Sequence, residues 1–421
     1  MTYHKDYETM PREKLEQLQI ERLQSTLNRV YRNVALYHQK FDDYNIDIES
    51  IKEIDDIRKL PFTTKDDLRK SYPYDMFAVP LRDIVRIHSS IGRSGRPIAI
   101  GYTRNDLQNW SMLVARLLAA AGVTEHDFVQ MAFDYSMVTG GFGFHYGAER
   151  LGASVIPSSS NSSIRRQIII MKDYKSSVLL STPGYAIKII HILKEMGIHP
   201  EQLNLRVGLF GAEPWSEEIR TQIEQELRID AYNTYGVNEL VGPGTAGECE
   251  MKNGLHVNED NFIVEIIDPE TLEPVKPGEE GALVFTTINK EAFPLIRYRT
   301  SDISSLIAGE CPCGRTFSRI KTVAARTDDM IVIMGVNIFP AQIEEILKKA
   351  EGVEPHFEVF VKNRDGVDFL EVRVEVSEKA FNDEIKILES LKERISRLLE
   401  EEIGVPAKVT LVEPKALSEK G

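Results

Sequence analysis

A ten-residue loop carries the first chemistry in the sequence. It runs His88-Ser89-Ser90-Ile91-Gly92-Arg93-Ser94-Gly95-Arg96-Pro97. Glycines let backbone N–H groups approach a ligand, serine hydroxyls add donors and two arginines add positive charge, which together suit a polyphosphate. A nucleoside triphosphate is therefore the first ligand expected here. The alternative is a Gly/Ser turn with surface arginines that joins two strands, and the G-x-x-x-x-G-K-[ST] pattern of a Walker loop is absent.

Two further loops carry candidate nucleotide contacts directly after apolar runs. Gly211-Ala212-Glu213-Pro214 follows residues 207–210, and a loop at the carboxyl end of a strand suits a flat ligand such as adenine. Tyr232-Asn233-Thr234-Tyr235-Gly236-Val237-Asn238-Glu239 closes the next strand. Its aromatic rings can stack on a base, its polar side chains can donate or accept, and Glu239 can help hold Mg²⁺ against phosphates. The alternative is a buried tyrosine beside a solvated glutamate.

Two charged segments follow in the last third of the chain. Tyr298-Arg299-Thr300-Ser301-Asp302 places a carboxylate at a turn, where Asp302 could accept hydrogen bonds from both hydroxyls of a ribose. Arg326-Thr327-Asp328-Asp329 lies at the expected joint between two domains, where the pattern of predicted strands and helices changes. Arg326 could therefore reach phosphate while Asp328 serves as a pivot. A solvated linker is the alternative for this second segment.

All three cysteines belong to one pattern with a histidine. Cys249 and His256 are separated by six residues, and Cys311 and Cys313 follow as a Cys-x-Cys pair. Three thiolates and an imidazole have the softness and number of ligands for tetrahedral Zn²⁺ in a structural site. The alternative is three reduced cysteines and a surface histidine.

The elements that must position these residues follow from hydrophobic patterning. Residues 12–33 have helical spacing, Thr103-x-x-Asp106 resembles a capping box, and the glycine loop lies between apolar runs as at the tip of a β-hairpin. Between residues 128 and 227, short apolar strands alternate with helical segments. This alternation predicts an α/β fold with a parallel sheet covered on both faces and ligands at the carboxyl ends of its strands.

The rest of the chain predicts a β-rich region followed by a second domain. Residues 242–325 have strand and turn composition, as in a β-rich subdomain, and the sequence beyond Arg326 predicts a small α+β unit. We therefore expect a large domain over residues 1–325 and a small domain over residues 326–421, joined by a hinge at residues 326–329. A chain of 421 residues is too long for one ordinary core.

Composition excludes several classes of function. A formal net charge of −14 argues against nucleic-acid binding through bulk electrostatics. The apolar stretch at residues 112–123 is interrupted by Arg116 and is too short to span a bilayer, so no membrane association is expected. With three cysteines and no apolar leader, the expected compartment is the cytoplasm.

Taken together, the ordered motifs resemble those of the adenylate-forming superfamily, and specifically the phenylacetate–CoA ligase family. The motifs are SSIGRSGRPIAIGYT, GAEPW, YNTYGVNE, YRTSD and ARTDDMIVIMGVNIFPAQIEEIL, and the likeness runs to about Glu413. The resemblance implies a large adenylation domain and a small mobile domain. It also implies activation of an aryl or arylacetic acid with Mg-ATP to an acyl-adenylate, then transfer to CoA after rotation of the small domain. Homodimers are compatible with this family.

The resemblance also implies roles for individual residues. Ser90, Gly92, Arg93, Ser94, Gly95 and Arg96 would hold phosphate, and Gly211, Ala212, Glu213 and Pro214 would form a wall of the adenine site, which Asn233, Thr234 and Gly236 would also line. Tyr235 would stack on adenine, Asp302 would hold the ribose, Arg326 would touch ribose or phosphate, and Glu239 would assist Mg²⁺. Asp328 would be the hinge, Gly335 and Val336 would lie near the thiol path of CoA, and the cysteine–histidine cluster would bind zinc.

The acyl pocket is expected in the segment after a central strand, with Phe133, Tyr135, Met137, Val138, Gly140 and Gly141 as its residues. The alternative is that Tyr135, Met137 and Val138 are core residues. Asp134 is unusual for a purely apolar slot.

Two departures from the family pattern bear on activity. Ile91, Arg93, Ser94 and Arg96 stand where relatives usually have serine, threonine, threonine and lysine, so hydroxyl donors are lost and a cation is added. Lys420 is the nearest candidate for the lysine that bridges carboxylate and α-phosphate in adenylating relatives. Two other functions therefore stay open, namely loading of a carrier-protein thiol and nucleotide binding without turnover.

Overall fold

The computed structural model describes residues 1–90, 97–323, 325–326, 331–333, 336–338, 340–350, 352–364, 367–381, 385–414 and 416–417. These residues form two compact units, one within residues 1–326 and one within residues 331–417. In the described part of the chain, no helix has the length and apolar character needed to cross a bilayer.

Most α-helices of the first unit match predicted helical segments. They are α1 (Lys5–Glu8), α2 (Arg12–Asn33), α3 (Ala35–Asp43), α4 (Lys65–Lys70), α5 (Arg104–Ala120), α6 (Gly140–Leu151), α7 (Ile164–Asp173), α8 (Pro183–Met196) and α9 (Glu217–Leu227). The predicted capping box before α5 is confirmed, because Thr103 Oγ1 accepts from Asp106 N at 3.1 Å and Asp106 Oδ2 accepts from Thr103 N at 2.9 Å. Sequence patterning did not single out α1, α3 or α7.

The strands of the first unit build three sheets. They are β1 (Arg86–Ser90), β2 (Ile98–Tyr102), β3 (Phe128–Met131), β4 (Ser154–Ile156), β5 (Val178–Ser181), β6 (Val207–Phe210), β7 (Asp230–Tyr235), β8 (Ala246–Gly247), β9 (Leu255–Val257), β10 (Phe262–Ile267), β11 (Gly281–Thr287), β12 (Tyr298–Ser304), β13 (Leu306–Ile307), β14 (Arg319–Ile320) and β15 (Ala325–Arg326). Strands β1 and β2 pair antiparallel, so the predicted hairpin is confirmed in its two arms.

The largest sheet has nine strands in the order β13-β14-β9-β8-β7-β6-β5-β3-β4. Its half from β4 to β7 is parallel, as predicted, and every residue of β5 and β6 is buried, which is typical of a sheet covered on both faces. The other half, from β7 to β13, is antiparallel, so the sheet is mixed. The predicted α/β fold class with a β-rich part is therefore confirmed.

Asp127 joins the amino ends of the parallel strands. Its carboxylate accepts from Ser177 Oγ at 2.7 Å, just before β5, and from Arg206 Nε at 3.0 Å, just before β6. Its carbonyl oxygen accepts from Ser154 N of β4 at 2.9 Å. Burial alone would raise the pKa of Asp127, but hydrogen bonds from Arg206, Ser177 and the backbone N–H of Thr124 outweigh it and lower the pKa. The sheet is thus anchored at the edge opposite its carboxyl ends.

The second unit is a small α+β fold with its own core. It contains β16 (Ile331–Ile333), β17 (Val336–Ile338), α10 (Pro340–Leu347), β18 (Val353–Arg364), β19 (Val367–Val376), α11 (Glu378–Phe381), α12 (Ile385–Ile403) and β20 (Ala407–Val412). Strand β19 pairs antiparallel with β18 and parallel with β20. Buried residues of α12, including Ile395 and Leu399, share one apolar cluster with Leu370 and Val372 of β19. This arrangement confirms the predicted α+β character.

Candidate active site

The parallel strands bring three of the predicted loops to one edge of the sheet. The acyl segment follows β3, the loop from Gly211 follows β6, and the turn from Gly236 follows β7. Because parallel strands end at the same edge, these loops lie side by side at the position where α/β sheets bind ligands.

Tyr235 and Arg326, both half-buried, meet at the buried Asp302. The Tyr235 hydroxyl donates to Asp302 Oδ2 at 2.6 Å, and the Arg326 guanidinium forms a short ion pair with Asp302 Oδ1. Strand pairing explains this contact, since Asp302 of β12 lies directly opposite Arg326 of β15. Burial, followed by the nearby Asp302 carboxylate, raises the pKa of Tyr235 well above its ordinary value, so the phenol stays a neutral donor. The structure therefore joins three residues that are 67 and 24 positions apart in the chain.

The turn after β7 holds Glu239 beside the last described residue of the glycine loop. Ser90 Oγ donates to Glu239 Oε1 at 3.3 Å, and both side chains are buried. Asn238 Oδ1 accepts from Thr139 N at 3.3 Å, which ties this turn to the acyl segment. Gly236 is required here because an added Cβ would lie 1.7 Å from the carbonyl oxygen of Gly242. The Glu239 carboxylate is thus held by its turn at the edge of the predicted phosphate loop.

The acyl segment combines aromatic walls with one polar pair. Phe133 stacks on Phe144 with ring centroids 5.3 Å apart, and the Tyr135 hydroxyl lies 3.0 Å from His145 Nδ1. Met137 anchors the segment to β1 through its carbonyl oxygen, which accepts from Ser89 N at 2.9 Å, while its side chain is 55% exposed. Val138 and Gly140 are half-buried. Met137 therefore is not a core residue, whereas Phe133 is.

Asp134 has one partner in its own loop and one in the loop after β4. It accepts from Tyr135 N at 2.8 Å and from Asn161 Nδ2 at 2.7 Å. Gly141 packs against the same loop, since a Cβ on Gly141 would lie 2.2 Å from the Asp134 carbonyl oxygen. The Asp134 carboxylate, which is unusual for an apolar pocket, thus stabilises the loop that carries the expected acyl pocket.

The loop after β6 is held by main-chain proximity and by the side chain of Glu213. A Cβ on Gly211 would lie 2.5 Å from Thr234 Oγ1, and Ala212 adopts a left-handed φ of 68°. Glu213 Oε1 accepts from Gly184 N at 2.6 Å. Pro214 follows before α9. Gly211 therefore allows close approach of the neighbouring strand.

Asn233 and Thr234 make their hydrogen bonds inside the protein. Asn233 Nδ2 donates to Thr322 Oγ1 at 3.4 Å, and Thr234 Oγ1 donates to the Phe210 carbonyl oxygen at 3.2 Å. Both side chains are buried. In this structure they brace the strand that ends at Tyr235.

The four residues of the predicted metal cluster converge. The ligand atoms of Cys249, His256, Cys311 and Cys313 lie within 4.8 Å of one another, with Cys249 Sγ 3.7 Å from Cys311 Sγ and Cys313 Sγ 3.5 Å from His256 Nε2. His256 Nδ1 lies 3.3 Å from the Phe317 carbonyl oxygen, which directs Nε2 towards the sulfur atoms. Burial, followed by the charge of Arg315, lowers the pKa of His256 to about 4, so the imidazole is neutral as a metal ligand must be. The donor set fits a closed zinc site.

Several predicted site residues lie outside the described residues: Gly92, Arg93, Ser94, Gly95, Arg96, Asp328, Gly335 and Lys420. Val336 is described, and it begins β17 of the second unit.

Sequence patterning missed Lys290, which the structure places behind the Glu239 turn. It is buried, and burial lowers the pKa of its ammonium to about 7 although the carboxylates of Asp106 and Glu239 favour the charged form. Within the sequence, Lys290 stands between a strand and an apolar run. A lysine between two apolar segments was the sequence signal that could have identified it as a buried residue.

Comparison with known proteins defines the class. The family model for AMP-binding enzymes matches residues 99–289, and that for the AMP-binding enzyme C-terminal domain matches residues 335–421. Phenylacetate-coenzyme A ligase of Thermus thermophilus is 41% identical and aligns over 98% of this chain and 96% of its own length. The enzyme of the same name from Escherichia coli is 42% identical over 96% of this chain and 92% of its own. The chain belongs to the phenylacetate–coenzyme A ligase family of adenylate-forming enzymes.

A solved structure agrees with this assignment. The crystal structure of 2-hydroxyisobutyryl-CoA ligase in complex with 2-HIB-AMP and CoA aligns with a TM-score of 0.92 and 28% sequence identity. The alignment covers 98% of this chain and 89% of that chain.

Proposed function

We propose that this protein is an ATP-dependent, AMP-forming ligase that activates an aryl or arylacetic acid of the phenylacetate type and transfers the acyl group to CoA. The names of the relatives support this reaction, and the site residues support it independently. The observation that carries the proposal is the convergence of Tyr235, Asp302 and Arg326 beside the turn of Glu239. A carboxylate resists nucleophilic attack because of its charge, and adenylation supplies a good leaving group.

The nucleotide roles follow from this convergence. Asp302 would accept hydrogen bonds from the ribose hydroxyls, and Tyr235 would stack on adenine between the strand end and the loop of Gly211–Pro214. Arg326 already pairs with Asp302, so it would lie beside ribose or phosphate. Ser90 would begin the phosphate loop, to which Gly92, Arg93, Ser94, Gly95 and Arg96 also belong in this proposal. These roles assign each converging side chain a part in binding ATP.

The acid would bind against the acyl segment. Phe142 offers aromatic surface, Tyr135 lies edge-on to it with centroids 5.3 Å apart, and the buried Phe133 would support the pocket from the core. The Tyr135–His145 pair adds the polar contact in the segment at 3.0 Å. An aromatic acid matches this lining better than an aliphatic one, since aromatic pairs favour edge-to-face contacts.

Two metal ions complete the proposal. Glu239 would assist Mg²⁺, which offsets negative charge on the phosphates when it is bound. The cysteine–histidine cluster would hold a structural Zn²⁺ that ties β8 and β9 to the segment between β13 and β14. We place this chemistry in a reducing compartment, the cytoplasm, because thiolates must stay reduced to bind zinc.

For the second half of the reaction, we propose that the small domain turns about Asp328, that Val336 and Gly335 then line the path of the CoA thiol, and that Lys420 serves the first half. Each of these roles is taken from the family resemblance.

The test is pyrophosphate release that depends on ATP and acid, measured with and without CoA for phenylacetate, hydroxyphenylacetates, indoleacetate, benzoate and short fatty acids. We expect release with one aryl acid and formation of its CoA thioester. ATP binding without release for any acid would instead support a nucleotide-binding protein. Release without a CoA product would support transfer to a carrier-protein thiol.

A further inference from the structure

Lys290 is a buried lysine behind the proposed Mg-ATP site. Its side chain is 5% exposed, and its ammonium lies 4.8 Å from the ring centre of Tyr102 and 5.3 Å from that of Phe293. It donates to the carbonyl oxygen of Glu239 at 3.1 Å and, through a short contact, to that of Leu240. Burying the amine of a lysine is unfavourable because its hydration is lost, so its retention needs a reason.

The backbone that carries Lys290 is itself anchored. Asp106, at the start of α5, accepts from Glu291 N at 2.7 Å and from Ala292 N at 3.0 Å. Asp106 also caps α5. The side chain of Lys290 therefore extends from a backbone segment that is held in place in the large unit. Its hydrogen bonds fix the main chain of residues 239 and 240 relative to that segment.

The turn that receives these bonds is the one that presents Glu239. Its neighbours fix it from two other sides, through Thr139 to Asn238 and through Ser90 to the Glu239 carboxylate. Those contacts involve side chains, whereas Lys290 holds the main chain. Two carbonyl oxygens that converge on one ammonium define the direction of the peptide planes, and hence the direction of the Glu239 side chain.

We propose that Lys290 is a positioning residue of the ligase reaction, which orients the Glu239 turn for Mg-ATP without touching the nucleotide. This inference rests on the proposed function and deepens it. An apolar side chain of similar volume would fill the same space but would leave the carbonyl oxygens of residues 239 and 240 without their donor, which lowers stability. A purely structural lysine would therefore affect only the fraction of folded protein, whereas a positioning lysine would also affect the kinetics of the folded protein.

The experiment is Lys290→Met in the full-length protein, with Mg²⁺ titrated against pyrophosphate release and against ATP binding by calorimetry. We expect a lower melting temperature, because two buried carbonyl oxygens lose their donor; for the protein that remains folded, we expect kcat to fall and the Mg²⁺ concentration for half-maximal effect to rise about tenfold, the scale of one lost positioning contact. The KM for the acid should stay within about twofold, since the acyl segment is untouched. Lys290→Gln keeps an N–H donor and should recover part of the Mg²⁺ response.

Lys40→Met is the matched control. Lys40 also donates to a carbonyl oxygen, that of Phe62 at 2.7 Å, and pairs with Asp67 at 2.7 Å. Its loss should leave the Mg²⁺ response unchanged. If Lys290→Met keeps the wild-type Mg²⁺ response, or loses activity only in proportion to lost folded protein, the inference is wrong. If Lys290→Met does not fold, the Mg²⁺ response of Lys290→Gln decides in the same way.

The calorimetric arm separates this inference from the proposed function. It needs ATP and Mg²⁺ but no turnover. A wild-type protein that binds Mg-ATP yet releases no pyrophosphate would contradict the ligase reaction, while a weaker Mg²⁺ response in Lys290→Met would still support the positioning role.

Discussion

The Asp302 carboxylate accepts the Tyr235 hydroxyl at 2.6 Å on one oxygen and pairs with Arg326 on the other. Tyr235 lies at the end of β7 and Asp302 lies within β12, so strands of two different sheets bring these two side chains together. A ligand with vicinal hydroxyls would therefore bind to a carboxylate that Tyr235 and Arg326 hold in place.

The first prediction concerns this carboxylate. Asp302→Asn should raise the KM for ATP about 100-fold, because a charge-assisted hydrogen-bond acceptor contributes roughly 1.5–3 kcal/mol. Tyr235→Phe keeps the ring for stacking and loses only the hydroxyl, so it should cost about tenfold or less. Steady-state pyrophosphate release at varied ATP measures both. Equal effects of the two substitutions would contradict a separate role for Asp302.

The second prediction concerns the cysteine–histidine cluster. Purified protein should contain one zinc ion per chain, and Cys311→Ser should lose it and lower the melting temperature by several degrees, because a structural zinc site contributes directly to folding. Metal analysis and a thermal melt measure both effects. A chelator should bring the wild-type melt towards that of the variant and leave the variant unchanged. Metal-free protein with an unaltered melt for Cys311→Ser would exclude the zinc site.

The third prediction uses two adjacent glycines as a matched pair. Gly141→Ala should raise the KM for the acid tenfold or more, which corresponds to ~1.4 kcal/mol of lost binding free energy, because its Cβ would lie 2.2 Å from the Asp134 carbonyl oxygen and displace the loop. Gly140→Ala should stay close to wild type, since its Cβ would meet Phe133 at an ordinary 3.5 Å. The KM for ATP should change in neither variant. A similar acid KM in both variants would show that the loop adapts.

The fourth prediction concerns pH. The pKa of Asp127 is lowered in the folded protein, so its contribution to stability is present above its unfolded pKa near ~3.9 and is lost as pH falls through the folded value. Asp127→Asn should therefore destabilise the protein at pH 7 and make its acid unfolding less steep. Denaturant melts from pH 7 to pH 3 measure the difference. Asp55→Asn is the exposed control, and a parallel pH dependence of wild type and Asp127→Asn would refute the role.

The sequence by itself determined the elements whose signals are local. The helix at residues 12–33 and the strand at residues 207–210 have the predicted bounds, because hydrophobic period and turn chemistry act over a few residues. It also determined the order of the motifs, the family and the identity of the four cysteine and histidine residues that converge in the structure. Side-chain type suffices for these inferences.

Only the tertiary structure decided which of those residues meet and what supports them. Asp302 lies opposite Arg326 because β12 and β15 pair, and Asn233 and Thr234 are turned towards protein partners. The hydrogen bonds of Asp127 with Ser177 and Arg206 and the contact of Lys290 with the Glu239 turn join residues that are 50 or more positions apart. No local pattern encodes such contacts, because their geometry depends on strand order and on burial, which the whole chain creates together.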